Sequence, residues 1–300
     1  TEVYCGTIFE KKAGASIDTN RWFAPPSTGG NGIGGYVYHD LAELFPMADG
    51  TPTKDSPDYD PTNPANKRDP RFMFTVTYDG CIMKSNMQDT EINISVGTQQ
   101  DAIYRGTPTG YYTHKFLKFG SMANQMLYGG SQARPLMRYT EILLNYAEAK
   151  AELGEITQED VDKTINVIRQ RVGVAGLQLN NIANDPNWQF PALSPIINEV
   201  RRERRVEFAC EGYRLDDLMR WRAHELIVNK RLKGYYYNAS DFPEIVVGEG
   251  VYLDENGYVD PYQVSLPNGF QFNPERDYLL PLPTTELVLN GKLEQNPGWN

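Results

Sequence analysis

The chain has 300 residues, with 39 acidic and 29 basic side chains and a formal net charge of −10. That balance excludes a nucleic-acid-binding role, which rests on neutralising phosphates with Lys and Arg, and no run approaches the roughly 18 apolar residues of a membrane-spanning helix. The length suffices for a large core in one or two domains, and 19 Tyr leave aromatic rings for display beyond what a core needs.

Residues 1–35 read as loop, because Pro25-Pro26-Ser27-Thr28 and the glycines that follow hold no long regular element. Gly30-Asn31-Gly32-Ile33-Gly34-Gly35 matches G-x-G-x-x-G letter for letter. A dinucleotide cradle needs a buried strand before that motif and a parallel βαβ unit around it. Here Arg21-Trp22-Phe23-Ala24-Pro25-Pro26 precedes it and no βαβ rhythm follows, so the motif reads as a surface loop. Trp22, Phe23, Tyr36 and Tyr38 flank it, with Arg21 and Asn31 between them. Rings in such a stretch either pack the loop onto the rest of the fold or stand ready for a ligand. A sugar offers them an apolar C–H face, and its hydroxyls suit amides and carboxylates, while aromatics supply stiff contact area with a polar handle. On that pattern Trp22, Phe23, Asn31, Tyr36 and Tyr38 are the candidate ligand-binding residues.

Residues 38–45 predict a short helix near Asp40. Residues 49–70 form a polar surface excursion; Asp55, Asp58 and Asp60 lack the spacing and closing Glu of a calcium loop. Residues 71–82 alternate as a strand does, through Phe72, Phe74, Val76 and Tyr78. Residues 101–120 read as loops with a short strand.

Four helices in two antiparallel pairs follow. The first spans 135–153, with Leu136, Tyr139, Leu143, Tyr146, Ala147 and Leu153 as one apolar stripe and Gly154 as its end. The second starts at Thr157, where Thr157 and Asp160 resemble a capping box; Val161, Ile165, Ile168 and Val172 are its stripe and Gly173 closes it. The third opens at Ser194-Pro195, buries Ile196, Ile197, Val200 and Phe208, and stops at Gly212. The fourth spans 213–228. Beyond it lie a second aromatic cluster, Tyr235-Tyr236-Tyr237, and a hairpin pairing residues 251–253 with Tyr258-Val259 around a turn at 254–257. Residues 278–283 are a short apolar run broken by prolines.

The third helix carries alternating charges from Glu199 to Glu211. In an acidic chain they read as ion pairs along the helix rather than as a basic recognition surface, with Arg205, Glu207, Arg214 and Asp217 as the candidates for pairs buried between helices. Glu203 and Glu207 share a helix face, but each has an Arg neighbour, whereas a glycosidase acid needs a raised pKa. His39, His114 and His224 are isolated, His224-Glu225 lacks the second His of H-E-x-x-H, and no G-x-S-x-G occurs. The residues therefore point to no catalytic group, cofactor or metal site. Cys5, Cys81 and Cys210 show no metal spacing; Cys210, beside Phe208 and Ala209, reads as a small buried hydrophobe. Nothing at Thr1 reads as a signal peptide.

Several motifs, in order, carry a resemblance. Asn145-Tyr146-Ala147-Glu148-Ala149-Lys150-Ala151-Glu152-Leu153-Gly154 is close to the first helix of a tetratricopeptide (TPR) repeat. The segment from Arg138-Tyr139-Thr140-Glu141 to Asn145-Tyr146-Ala147-Glu148-Ala149 resembles a motif of the SusD/RagB family. So do Glu203-Arg204-Arg205-Val206-Glu207-Phe208-Ala209-Cys210-Glu211-Gly212-Tyr213-Arg214, Asp217-Leu218, Arg220-Trp221, Tyr278-Leu279-Leu280-Pro281-Leu282-Pro283, Glu286 and Gln295-Asn296-Pro297-Gly298-Trp299. Asp69-Pro70-Arg71-Phe72 matches near the front. The resemblance implies a mostly α fold, an α/α superhelix of TPR-like helical pairs with a large irregular loop region and short β hairpins. It divides the chain into ligand-side loops at 1–130, TPR-like helices at 134–228 and a tail at 229–300 that wraps back. It implies that this is the C-terminal portion of a longer protein, whose N-terminal helical half and lipid-bearing cysteine lie outside the chain. The implied function is non-catalytic binding of an oligosaccharide at the cell surface of the outer membrane, with delivery to a SusC-like TonB-dependent transporter. A peptide-binding TPR adaptor and a helical glycoside hydrolase are the competing readings.

Overall fold

In the computed structural model, the described residues are 7–11, 22–32, 34–61, 63–85, 88–95, 99–103, 105–117, 134–240 and 245–299. The protein forms two compact units: Thr1–Glu211 with Leu232–Pro261, and Gly212–Arg231 with Tyr262–Asn300.

In the first unit, β1 (Thr7–Lys11) precedes α1 (His39–Ala42), α2 (Arg71–Thr75), β2 (Val76–Thr77), β3 (Ile82–Ser85), β4 (Gln88–Glu91), β5 (Tyr112–Thr113) and β6 (Arg134–Arg138). The strands pair two by two, all antiparallel: β1 with β6, β2 with β5, and β3 with β4. The helical layer follows as α3 (Tyr139–Glu152), α4 (Gln158–Lys163), α5 (Ile165–Val172) and α6 (Pro195–Glu207). The fold is mostly helical with short antiparallel pairs, as the sequence implies.

The expected strand at 71–82 is corrected. Asp69 Oδ1 accepts the Arg71 backbone N–H at 2.9 Å, which starts a helical turn over Arg71–Thr75, and the chain turns extended only at Val76. Phe72 is fully buried while Phe74 is 68% exposed, so the two rings do not share a face.

Helix ends follow their signals. Gly154 and Gly173 take φ of 71° and 78° behind α3 and α5, a left-handed conformation open to glycine at little cost. Thr157 and Asp160 form the expected capping box. Thr157→Ala should lower unfolding free energy by about 1 kcal/mol in urea titration, by leaving the Asp160 N–H without its acceptor. Thr164, with φ −121° and ψ −85°, breaks the expected single helix into α4 and α5.

Two expectations of burial are corrected. The first helix begins at Tyr139, because residues 134–138 are strand β6. Leu136, Tyr139, Tyr146 and Leu153 are exposed, and the buried side is Thr140, Leu144, Ala147, Glu148 and Ala151. That side meets α6 through polar contacts: Arg204 Nη1 donates to Asn145 Oδ1 at 2.7 Å and Arg201 pairs with Glu152 at 2.8 Å. The buried apolar stripe is thus short, Leu144, Ala147 and Ala151, with polar residues set around it. The second correction is Cys210, which is exposed, not buried, with φ 62° in the turn that follows α6.

Besides the apolar residues buried on the helices, such as Leu144, Val161, Ile165 and Val200, this unit has an apolar core among its loops and short strands. It joins Val37, Phe45, Phe72, Ile92, Ile94, Ile103, Tyr112, Val206 and Val259, among others, and full burial of each large side chain stabilises by about 1.5–3 kcal/mol. Arg68, 4% exposed, pins the polar excursion to that core. Its guanidinium donates to the carbonyls of Phe45, Pro64 and Ala42. The hairpin at 251–259 forms, with Asp254 N–H donating to Tyr258 O at 2.8 Å and Gly257 in the turn at φ 85°.

The second unit holds α7 (Tyr213–Arg220), a 3-10 turn at His224–Leu226 and α8 (Thr284–Leu289). The expected fourth helix stops at Arg220, and Arg222 takes φ 51°. The tail motif is self-bracing. The Tyr278 hydroxyl accepts His224 N–H at 3.0 Å, Gln295 bonds both backbone groups of Leu282, and Trp299 Nε1 donates to Leu279 O at 2.8 Å.

Candidate ligand-binding site

The Gly-rich loop is a close crossing of two backbone segments. Residues 26–28 make one 3-10 turn and Gly29 reverses the chain at φ 90°. The returning strand then donates from Gly30 to Pro25 O, from Gly32 to Ala24 O and from Gly34 to Trp22 O, at 3.1, 3.1 and 2.9 Å. A Cβ on Gly30 would lie 1.9 Å from Ala24 O, and one on Gly35 would lie 2.0 Å from the Phe23 ring. The glycines serve chain-to-chain approach, not a phosphate.

The crossing is tied to the core below it. Asp101 Oδ1 accepts the Ser27 N–H at 2.9 Å, while the Asp101 carbonyl accepts the Tyr112 hydroxyl at 2.9 Å. Burial raises the Asp101 carboxyl pKa. Thr113 Oγ1 donates to Gly35 O, and Thr109 Oγ1 to Val37 O at 2.9 Å. Ala24 and Val37, 3% and 2% exposed, fix the two ends of the loop.

On this braced loop Trp22 keeps 43% of its surface exposed. Phe23, Asn31, Tyr36 and Tyr38 are half-buried. The backbone pairing brings Trp22 and Phe23 beside residues 34 and 35, next to Tyr36, whose hydroxyl pKa is raised by burial. Tyr38 caps the start of α1. Arg21 lies outside the described residues. In the second aromatic cluster Tyr235 belongs to the core, edge-on to Tyr111 at 5.6 Å. Tyr236 is 42% exposed and edge-on to Tyr258 at 5.4 Å.

The charged helix α6 is mostly buried, and its partners come mainly from elsewhere in the chain. Glu207 meets Arg138 at 2.6 Å, Arg171 at 2.8 Å and Arg71 at 3.0 Å. Arg71 also holds Asp69 at 2.6 Å and Glu203 at 2.5 Å. Arg169 bridges Glu203 and Glu199, and Arg202 bridges Glu199 and Asp185. Of the expected buried subset, Glu207 is in this network, and Asp217 pairs instead with Arg220 in the second unit. Burial opposes ionisation of Glu207, but Arg71, Arg138 and Arg171 outweigh it and hold its carboxyl well below the usual range. Glu203 is lowered likewise, burial being outweighed by Arg71 and Arg169. Carboxylates held ionised this firmly do not donate protons at neutral pH. Among the described residues no group of three or more His, Cys, Asp or Glu is placed to hold a metal.

Helices locked by buried ions, beside a loop-built core with an aromatic loop displayed on it, define a scaffold-and-loop protein. The chain belongs to the SusD family, whose model matches residues 5–299. It is similar to a SusD-like carbohydrate binding protein of Bacteroides fragilis NCTC 9343, at 26% identity and TM-score 0.69 over 96% of this chain and 54% of that one. A second SusD-like protein of that strain shares the fold, at 23% identity and TM-score 0.66 over 98% of this chain and 54% of that one. SusD-like protein P2 of Formosa agariphila is 33% identical over 164 residues, 54% of this chain and 25% of the relative. The chain thus spans about half the length of these solved relatives.

Proposed function

We propose that this chain takes part in binding an oligosaccharide at the cell surface, in the outer membrane, as part of a lipid-anchored protein that hands the sugar unaltered to a SusC-like TonB-dependent transporter. Its kinship with a carbohydrate-binding SusD-like protein supports the sugar class. Among the described residues no helix is long and apolar enough to cross a membrane, which is compatible with attachment by lipid. The observation that carries the reading is Trp22, a large ring left 43% exposed on a loop whose backbone is bonded to itself and to the core. A rigid loop loses little freedom on binding, so ring-stacking energy appears as affinity. Phe23, Asn31, Tyr36 and Tyr38 complete the site, the amide and hydroxyls facing sugar hydroxyls and the rings its C–H faces.

The test is a glycan array with a product assay beside it. Wild type is expected to retain oligosaccharide without turnover. Trp22→Ala should weaken retention by about tenfold to a hundredfold, the affinity equivalent of one large ring's burial. The melting temperature should stay within about 2 °C, as for other exposed substitutions. Unchanged retention in Trp22→Ala removes this site; release of products restores the hydrolase reading.

A further inference from the structure

The loop of residues 185–193 is held by α6. Arg202 pairs with Asp185 at 2.8 Å and lays its guanidinium over the Trp188 ring at 4.7 Å. Arg201 covers Phe190 at 4.3 Å. Asn198, 4% exposed, accepts the Phe190 N–H at 3.1 Å and donates to the Phe190 carbonyl at 2.8 Å. Asp185 Oδ1 accepts the Asn187 N–H at 2.7 Å. Three side chains of α6, Arg201, Arg202 and Asn198, thus hold this one surface connection.

Opposite the loop stand α1 and the 3-10 turn Thr53–Asp55, joined by Lys54–Glu43 at 2.7 Å. Between the two walls lies an open hollow of about 80 Å³, lined by Glu43, Lys54, Asp185, Asn187, Gln189 and Arg202 among others. A smaller hollow shares Asp185, Asn187 and Gln189 and adds Trp188. Past Glu43, His39 stacks on Tyr258 at 4.4 Å, and Tyr258 meets the exposed Tyr236. Amides and carboxylates thus line the hollow, with the Trp188 ring on the smaller one beside it. By volume the larger hollow holds several waters, so it suits the hydroxyls and part of one ring of a sugar.

The charges select among sugars. Lys54 and Arg202 are already paired with Glu43 and Asp185, and Asp40 adds a further carboxylate to the lining. An anionic sugar would meet carboxylates with no uncommitted cation among these residues, on a chain of net charge −10. A neutral sugar can donate its hydroxyls to those carboxylates and exchange bonds with Asn187 and Gln189.

We infer that the cleft between α1 and the Asp185–Leu193 loop is a second carbohydrate subsite, selective for an uncharged sugar residue and separate from the Trp22 loop. This rests on the oligosaccharide reading above. The test is calorimetry with maltohexaose, cellohexaose, laminarihexaose, xylohexaose and mannohexaose as neutral probes and hexagalacturonate as the charged one. Asn187→Ala/Gln189→Ala and, separately, the exposed Lys54→Ala are compared with Trp22→Ala. For a neutral probe that binds wild type, the double variant should lose about tenfold in affinity, as for one or two lost hydrogen bonds, and Lys54→Ala should also weaken it. Hexagalacturonate should not compete. If Trp22→Ala loses binding while both cleft variants match wild type, the subsite is overturned and the Trp22 site stands. If hexagalacturonate binds as tightly as the neutral probe and the cleft variants weaken it, the selectivity is overturned. No binding of any probe by wild type overturns the subsite together with the oligosaccharide reading.

Discussion

Glu207→Gln is expected to destabilise the protein by about 3–5 kcal/mol, the cost of removing one partner from a buried ion cluster. The side chain keeps its size, so the loss is electrostatic. Arg71, Arg138 and Arg171 would face an amide that neutralises none of them. For a protein of this size that corresponds to a fall in Tm of roughly 6–20 °C. Acid should act in the same direction. Glu203 and Glu207 have folded-state pKa values below the ordinary carboxyl range. Their contribution is present above the unfolded-state value of about 4.3 and is lost as pH falls towards the folded-state values, because the unfolded chain then binds more protons. Urea unfolding at pH 7 and at successive steps below pH 4.5 should show wild-type stability dropping. Glu207→Gln, already lacking one of these carboxyls, should drop less steeply. A variant as stable as wild type at pH 7 would mean that the cluster is replaceable and that the fold is held by its apolar core alone.

What was legible in the sequence follows from how local each signal is. Thr157 with Asp160, Gly154, Gly173 and Ser194-Pro195 act within a few residues, and each marks its helix end where expected. The network was only half legible. Arg71 and Glu203 lie 132 residues apart, and Arg138 and Glu207 lie 69 apart. Periodicity along α6 therefore suggested pairs within the helix, of which Arg202–Glu199 is a real example. The buried face of α3 was hard to read for a related reason, since Asn145, Glu148 and Glu152 are set among its apolar positions Leu144, Ala147 and Ala151 and pair with α6. At the candidate site the sequence marked Trp22 through its glycine-rich setting and excluded a phosphate cradle, but it gave no reason for the glycines. They permit backbone contact, a property of the folded crossing with no local signature. The Asp185 loop escaped notice because its importance lies in what α6 does to it. A mixed run such as Asn187-Trp188-Gln189-Phe190 looks like ordinary connection until Arg201, Arg202 and Asn198 are seen gripping it.

The proposed role of the Trp22 loop makes one more demand, and it separates contact from position. If Trp22 binds because the crossing holds it still, then Gly30→Ala should abolish retention although every candidate side chain remains. The added Cβ would sit 1.9 Å from the Ala24 carbonyl oxygen, a backbone atom with no rotamer to escape into. The two segments must separate, which weakens the bonds from Gly30 to Pro25 and from Gly32 to Ala24. Overpacking of this kind costs about 1–3 kcal/mol. Because the crossing is a surface feature, the loss should appear as local opening more than as unfolding. Hydrogen exchange at the Gly32 and Gly34 amides should quicken severalfold, and affinity for whichever glycan wild type retains should fall at least as far as in Trp22→Ala. The double variant should be no worse than Gly30→Ala alone, since a ring already displaced has little left to contribute. Gly30→Ala binding at wild-type strength, with its amides exchanging faster, would show that Trp22 grips from a mobile loop. The rigidity of the crossing would then be incidental to the affinity.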